Sequence, residues 1–365
     1  MRKIPTLGAK PGTILVRDIF TSHGQKIAKA GTKLDAQLIL RLRYYNIDEI
    51  AVAGMDEPEE IDDPEEIAHL EADSLVYRIK TSEEFKNFKK TYYSDMKETE
   101  ALFQEMVVHS KPANVARLSE ICNNLFENSP TGIGLMNMLL CLRDIDDTVF
   151  AHSVNSALTA RVLGKWLGYN EKDLDLLTLC GLLHDIGKAF VPSQILNNPK
   201  PLSAQEIDII RQHCEYGYNL LSAQENLDEL VALVAYQHHE RANGSGYPLG
   251  LTQEEIHPFS SIVAIADAFD AMTSSRIYRA AICPFEVIAQ FEVMAFDSFD
   301  PLYTTTFLNH IVDSYIDAQV RLNDGEEGII VKVNPAALTR PLLRMLDGSY
   351  LDLNEYWDLY IEAVV

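Results

Sequence analysis

Leu176-Leu177-Thr178-Leu179-Cys180-Gly181-Leu182-Leu183-His184-Asp185-Ile186-Gly187-Lys188 is apolar enough for a buried helix, and it delivers an imidazole, a carboxylate and an ammonium at its end. A histidine and an aspartate carried into an apolar interior are costly unless they are paired or used. A second stretch repeats the pattern. Leu227, Leu230, Val231 and Val234 recur at helical spacing, and the next step on that face is His238, followed by His239-Glu240-Arg241-Ala242-Asn243-Gly244-Ser245-Gly246-Tyr247-Pro248. In a third, Val263 lies four residues before Asp267, within a helix predicted over residues 261–274. Ligand-type side chains at inward or terminal positions of several helices are how a helical bundle builds a metal centre.

The surrounding chain sets bounds on what such a centre can serve. With 365 residues, 47% of them hydrophobic, it can bury one sizeable catalytic core and still carry smaller appendages. A net charge of −23 and a pI near 4.8 exclude the broad basic face needed to hold DNA. A small anionic ligand remains compatible, because metal ions and a few cationic side chains reverse the field locally. Cys122, Cys141, Cys180, Cys214 and Cys283 are scattered with no CxxC spacing, as expected of reduced thiols with structural roles. The opening residues MRKIPTLGAKPG lack an apolar signal core, and no stretch approaches the ~20 apolar residues of a membrane span, so the expectation is a cytoplasmic protein without a membrane anchor.

The fold expected is mainly α, a helical bundle with small β-rich N-terminal and C-terminal appendages. Residues 1–55 form a small β-rich module: Pro11-Gly12 precedes Thr13-Ile14-Leu15-Val16, Gly24 and Gly31 punctuate later segments, a helix is predicted over 35–45, and Ile50-Ala51-Val52 closes it. Residues 56–82 open on a strongly acidic run with Pro58 and Pro64 and read as a solvated linker. A helical connector spans 83–144, and the stretch from Glu83 to Val108 suits a sensing or dimerising element as well as an ordinary surface helix. The helical catalytic region covers 145–320. From 321 to 365 the pattern turns β-like again, with Ile329-Ile330-Val331-Lys332-Val333 between turns and a terminal run from Leu359 to Val365.

The candidate ligands, in order, are His152, His184, Asp185, His213, His238, His239 and Asp267. Imidazoles and carboxylates without organised thiolates suit iron, manganese or zinc rather than an iron–sulfur cluster. Seven donors exceed the needs of one ion and match two divalent ions that share a carboxylate. Asp185 is the natural bridge, because it directly follows a ligand histidine and has two oxygens. Taken singly, His152 and His213 read equally well as hydrogen-bonded core histidines, and Asp267 as a capping or ion-paired carboxylate. The adjacent pair His238-His239 at an apolar helix end resists that reading. His23, His69 and His257 read as solvent-facing or structural.

From Ile145 to Val320 the chain resembles the HD-GYP family, a branch of the HD metal-dependent phosphohydrolases. The matching stretches are HSVN at His152–Asn155, LLHDIGK at Leu182–Lys188, VPSQILN from Val191, SAQEIDIIRQHCEYGYNLL, HHERANGSGYPLG, and IADAFDAMTSSRIYRA at Ile265–Ala280. The resemblance implies an HD-type helical bundle that hydrolyses a cyclic dinucleotide, most often cyclic di-GMP, to pGpG and in some members onward to GMP, with a metal-bridged hydroxide as nucleophile. It implies one metal position built by His152, His184 and Asp267, a second built by His213, His238 and His239, and Asp185 shared between them. Iron or manganese are the ions expected. Lys188 would act in catalysis with Asp185 and pair with a phosphate oxygen, while Arg276 and Arg279, three apart on one face, would hold the other phosphate or stack on guanine, against the plainer reading of a surface ion pair.

The Gly246-Tyr247-Pro248 loop needs tight turns. The resemblance places it against the metal centre and gives it contact with partner proteins bearing GGDEF domains; bracing the ligand histidines is a compatible role. A homodimer is compatible too. Two departures from the family pattern stand out. Thr148 occupies the position where some members have a glutamate for a third metal, with Asp146 and Asp147 offset, so two metals are expected and the step to GMP has less support. Asn198-Pro199-Lys200-Pro201 replaces the usual Lys-Pro-Gly run, leaving Lys200 as its cation. The alternatives are the same chemistry on another cyclic dinucleotide such as cyclic GMP-AMP, and a non-catalytic cyclic di-GMP receptor. A receptor would be free to lose ligands that this chain keeps, and related purine dinucleotides are told apart by a handful of pocket contacts.

Overall fold

A computed structural model describes residues 2–5, 13–17, 19–20, 26–34, 38, 42, 49–52, 75–127, 131–142, 149–196, 198, 200–274 and 282–365. The chain divides into two compact units, Met1–Ala68 and His69–Val365. In the first, β1 (Arg2–Pro5) pairs antiparallel with β4 (Glu49–Val52), and β2 (Ile19–Phe20) with β3 (Lys26–Ala28). Leu15, Ile19, Ala28, Leu34, Leu42 and Ile50 form its core. Of the helix expected over 35–45, positions 38 and 42 are described and both are helical; the rest lies outside the described residues. The acidic run from 56 to 66 also lies outside them, and the stretch assigned to the linker ends in a helix, α1 (Leu75–Thr81).

The second unit is a helical bundle. Ser82 starts α2 (Glu83–Val107) by accepting a hydrogen bond from the Phe85 N–H at 3.1 Å, and Glu83 and Glu84 complement the helix dipole. Phe85, Phe88, Tyr92, Met96, Phe103 and Met106 make its buried stripe. After α3 (Val115–Glu127) and α4 (Gly132–Leu142) comes α5 (Val149–Trp166), where Ala151, Val154, Ala157, Leu158, Ala160, Val162 and Leu163 are all buried. A helix apolar around most of its circumference belongs at the centre of a bundle.

Asn170 caps α6 (Glu171–Leu183), the helix that opens the sequence argument. It lies close against α5: a Cβ on Gly181 would stand 2.8 Å from the Ala157 Cα, so only glycine permits this approach. A 3-10 helix (Ile186–Phe190), α7 (Ser193–Leu196), α8 (Ala204–Arg211), α9 (His213–Ser222) and α10 (Glu229–Gln237) follow. Next, α11 runs from Pro258 to Thr273, beginning three residues before its predicted start. Pro258 occupies its first turn and the His257 ring accepts from the Phe259 N–H at 3.1 Å, which gives His257 a capping role.

Helices α12 (Pro284–Met294) and α13 (Pro301–Ile311) lead to an antiparallel five-stranded sheet of order β8-β7-β6-β5-β9. Its strands are β5 (Gln319–Leu322), β6 (Glu327–Asn334), β7 (Ala337–Met345), β8 (Tyr350–Asp352) and β9 (Ile361–Val364). Val320, Leu322, Ile330, Leu343 and Ile361 join the same hydrophobic core as Phe285, Ile288 and Tyr315, so the sheet completes the bundle's interior. Among the described residues, no helix is long and apolar enough to cross a membrane.

Asp95, on the inner side of α2, is 4% exposed, and its Oδ2 has no hydrogen-bond partner. Burial, with Glu98 nearby, raises its carboxyl from 3.8 to about 6. The folded state therefore holds this proton more tightly than the unfolded chain. The contribution to stability is full below the unfolded value and lost as pH rises through about 6. Asp95→Asn, which stays neutral, is expected to gain about 1–3 kcal/mol over the parent at pH 8 and little at pH 4. Urea unfolding at both pH values checks this, and an equal difference at the two would refute it.

Candidate metal centre

Three helix ends aim the central imidazoles. His184 follows α6, His213 follows the end of α8, and His238 follows α10. Each ring donates its Nδ1–H to the carbonyl three residues earlier: His184 to Gly181 at 2.7 Å, His213 to Ile210 at 2.6 Å, and His238 to Ala235 at 3.0 Å. These carbonyls belong to the last turn of a helix, where backbone acceptors lack helical partners. A carbonyl only accepts, so Nδ1 carries a proton in each ring, and each Nε2 faces inward, where it can take a second proton or a metal.

Those Nε2 atoms converge on Asp185. Its Oδ1 lies 3.4 Å from His213 Nε2 and 3.6 Å from His238 Nε2, while its Oδ2 lies 3.4 Å from His184 Nε2 and 3.5 Å from His152 Nε2. Asp267 approaches from α11, with Oδ1 3.0 Å from His152 Nε2 and Oδ2 3.9 Å from His239 Nδ1. The donor atoms fall into two compact groups: His152, His184, Asp185 and Asp267, and beside them His213, Cys214, His238 and His239. All seven residues singled out in the sequence thus meet at one place, joined by the Cys214 thiol, which had been assigned a purely structural role.

The donor set fits divalent cations. Nε2 of His213 and Nε2 of His238, both lone-pair bearing, face each other at 3.3 Å. His184 Nε2 and Asp185 Oδ1 are buried with no hydrogen-bond partner. Buried acceptors converging without donors are compensated by a cation or by protons. Burial opposes charge on His184, but Asp185 and then Asp267 override it and raise this imidazole to about 10. His152 is raised against its burial by Asp267 and Asp270. Burial prevails at His213, held down to about 4 despite Asp185, and at His239, held well below its usual range. Lys188 pairs with Asp185 Oδ2 from the rim of the site and is half-buried.

Comparison with known proteins agrees with this geometry. Residues 135–302 match the HD domain family, whose members are metal-dependent. The chain is 32% identical over 207 residues to the cyclic di-GMP phosphodiesterase PA4108 of Pseudomonas aeruginosa, covering 57% of this chain and 50% of that one. It is 40% identical over 123 residues to the cyclic di-GMP phosphodiesterase response regulator RpfG of Xanthomonas campestris, covering 33% and 32%. It is also 30% identical over 227 residues to the 3'3'-cGAMP-specific phosphodiesterase 2 of Vibrio cholerae, covering 57% and 43%. The chain carries an HD-GYP domain. It spans half or less of the length of these three relatives.

Within the HD-GYP domain the loop that gives the family its name packs onto a ligand-type histidine. The Tyr247 ring stacks on His239 with centroids 4.7 Å apart, and the Arg211 guanidinium lies 4.9 Å from the Tyr247 centroid. Glu240, 2% exposed, accepts hydrogen bonds from the Leu249 N–H at 2.7 Å and the Leu251 N–H at 2.9 Å, tying the loop's exit to the His238-His239 pair. A Cβ on Gly246 would collide with the backbone of Glu240 and Arg241. Gly187 has the same role in the first motif, where a Cβ would collide with the carbonyl of His213. That glycine lets the His-Asp turn touch the start of α9.

Sequence reasoning overlooked the polar residues behind the ligands. Asp270 accepts from His152 Nδ1 at 2.7 Å and from Asn155 Nδ2 at 3.0 Å. Asp270 lies three positions after Asp267, and Asn155 three after His152, so helical spacing from the ligands would have found both. Arg276, Arg279, Thr148, Asp146 and Asp147 lie outside the described residues, as do His23 and His69. Lys200 is exposed, its N–H held by Asn198 Oδ1 at 3.0 Å.

Two outcomes follow from this geometry. Metal uptake by the metal-free protein at pH 7.5 is expected to release at least one proton per chain, because His184 stays protonated up to about pH 10 beside its carboxylates. Apparent affinity then rises with pH between 7 and 9. Calorimetry in buffers of different ionisation enthalpy reads the protons, and none released would refute the charge assignment. Gly187→Ala is expected to cost about 1–3 kcal/mol through overpacking and to lower bound metal, measured by urea unfolding and elemental analysis.

Proposed function

We propose that this chain hydrolyses cyclic di-GMP to pGpG at a centre of two divalent cations, held by His152, His184 and Asp267 on one side and by His213, His238 and His239 on the other. The observation that carries this reading is the bridging pose of Asp185, one oxygen turned to each group of imidazoles. Bound cations would supply an activated water and neutralise charge on the phosphoryl oxygens. Asp185 holds the two groups in register, and Lys188, tethered to it at the rim, offers an ammonium to a phosphate oxygen. Arg276 and Arg279 are proposed to hold the second phosphate or a guanine.

Iron or manganese is the proposed metal. The donors are imidazole nitrogens and carboxylate oxygens, and burial keeps the Cys214 thiol protonated beside them. The free thiols Cys141, Cys180, Cys214 and Cys283 support a reducing, cytoplasmic setting. Tyr247 is engaged with His239, which leaves the exposed Pro248 and Leu249 as the loop's surface for a GGDEF-domain partner. A second reading, cyclic GMP-AMP as substrate, is favoured by the similarity to the Vibrio cholerae enzyme specific for that nucleotide.

Protein reloaded anaerobically with iron(II) or manganese(II) is expected to convert cyclic di-GMP to pGpG. Asp185→Ala should lower the rate by at least about a hundredfold, because the shared carboxylate of both positions is lost. Chromatography of the products reads both. Faster turnover of cyclic GMP-AMP would favour the second reading, and no turnover of either nucleotide by metal-loaded protein would refute both.

A further inference from the structure

His152 differs from the other buried imidazoles in how its outer nitrogen is satisfied. His184, His213 and His238 use carbonyls at helix ends, whereas His152 sits inside α5, where carbonyls already serve the helix. Its Nδ1–H donates instead to Asp270 Oδ2 at 2.7 Å. Asp270 Oδ1 accepts from Asn155 Nδ2 at 3.0 Å, and Asn155 Oδ1 accepts from the Tyr92 hydroxyl at 2.8 Å. Tyr92, Asn155, Asp270 and His152 are 3%, 8%, 3% and 8% exposed, so the row runs through the interior where a misdirected donor is not rescued by water.

The row has one consistent direction. A carboxylate only accepts, so it needs the amide nitrogen of Asn155 and the N–H of His152 turned towards it. With its nitrogen so committed, Asn155 presents its oxygen to the Tyr92 hydroxyl, which has a proton to give. A flipped amide would set carbonyl oxygen against carboxylate oxygen. The Tyr92 hydroxyl thereby favours the amide orientation that keeps Asp270 in place, and Asp270 keeps a proton on His152 Nδ1 and turns Nε2, 3.0 Å from Asp267 Oδ1, towards the metal position. The Tyr92 hydroxyl also lies 3.4 Å from the Ala151 carbonyl, and Ser274 Oγ donates to Asp270 Oδ1 at 3.2 Å, longer contacts that leave that direction unchanged.

Tyr92 lies on α2, ahead of the stretch that matches the HD domain family. We propose that Tyr92 is a positioning residue through which α2 controls occupancy of the metal position built on His152, by way of Asn155 and Asp270. The proposal rests on His152 being a metal ligand. A shift or rotation of α2 that withdraws the hydroxyl would weaken one metal position and spare the other, so the helix preceding the catalytic domain can grade its activity.

The test is manganese(II) titration of the full chain, followed by electron paramagnetic resonance and by elemental analysis of metal per chain. The parent is expected to bind two ions with a spin-coupled signal. In Tyr92→Phe one site should weaken by about tenfold or more, the size expected when a ligand's hydrogen-bonded support is lost, with the coupled signal giving way to that of an isolated ion. Asn155→Leu should weaken the same site, and the double variant should add little, because both break one row. Met106→Ala, which loosens the same helix at a buried position fourteen residues from Tyr92, should leave both affinities unchanged. Equal affinities in the parent and Tyr92→Phe, equal weakening of both sites, or the same selective loss in Met106→Ala would each overturn the proposal. A parent chain that binds no manganese would instead overturn the metal reading beneath it.

Discussion

A single buried carboxylate organises this molecule. Asp185 is 1% exposed and stands between imidazole Nε2 atoms that all face it. Negative and electron-rich atoms held at 3.4–3.6 Å in an apolar interior repel one another, so the arrangement persists only if positive charge is supplied from within. Lys188 provides some of it from the rim, and protons on His152 and His184 or bound cations provide the rest.

Bringing several chain segments to one carboxylate constrains the backbone more than the side chains. Gly181 lets α6 lie against α5, and Gly187 lets the turn after Asp185 touch the first residue of α9. Both contacts involve main-chain atoms, which cannot yield as a flexible side chain can. Terminating helices at the site gives a second benefit. Their unpaired carbonyls orient three imidazoles without a dedicated side-chain acceptor, and a mid-helix histidine such as His152 needs Asp270 and the residues behind it. The ring of Tyr247 then rests against His239, so the loop that identifies the family also braces the centre.

This architecture would let an acidic chain bind the anionic substrate proposed for it. The net charge of −23 disfavours long nucleic acid, yet a compact site that concentrates cations against a few carboxylates can present positive potential over the dimensions of one phosphate. Cyclic di-GMP and cyclic GMP-AMP, for which the relatives are named, differ in one base, a difference that a handful of pocket contacts can read.

By itself the sequence determined the predominantly helical character of the described residues between 83 and 318, the terminal β-structure, and the set of imidazoles and carboxylates from which a metal site can be drawn. Those features are written locally, in apolar spacing and in motifs such as HDIGK and HHE. The tertiary structure decided which donors stand side by side, that Cys214 joins the second group, and that the C-terminal sheet shares the helical core. It also decided the row from Tyr92 through Asn155 and Asp270 to His152, whose directly bonded members lie as far as 118 residues apart in sequence. No local pattern marks such a row, because a buried tyrosine or asparagine becomes directional only when packing sets its partners in place.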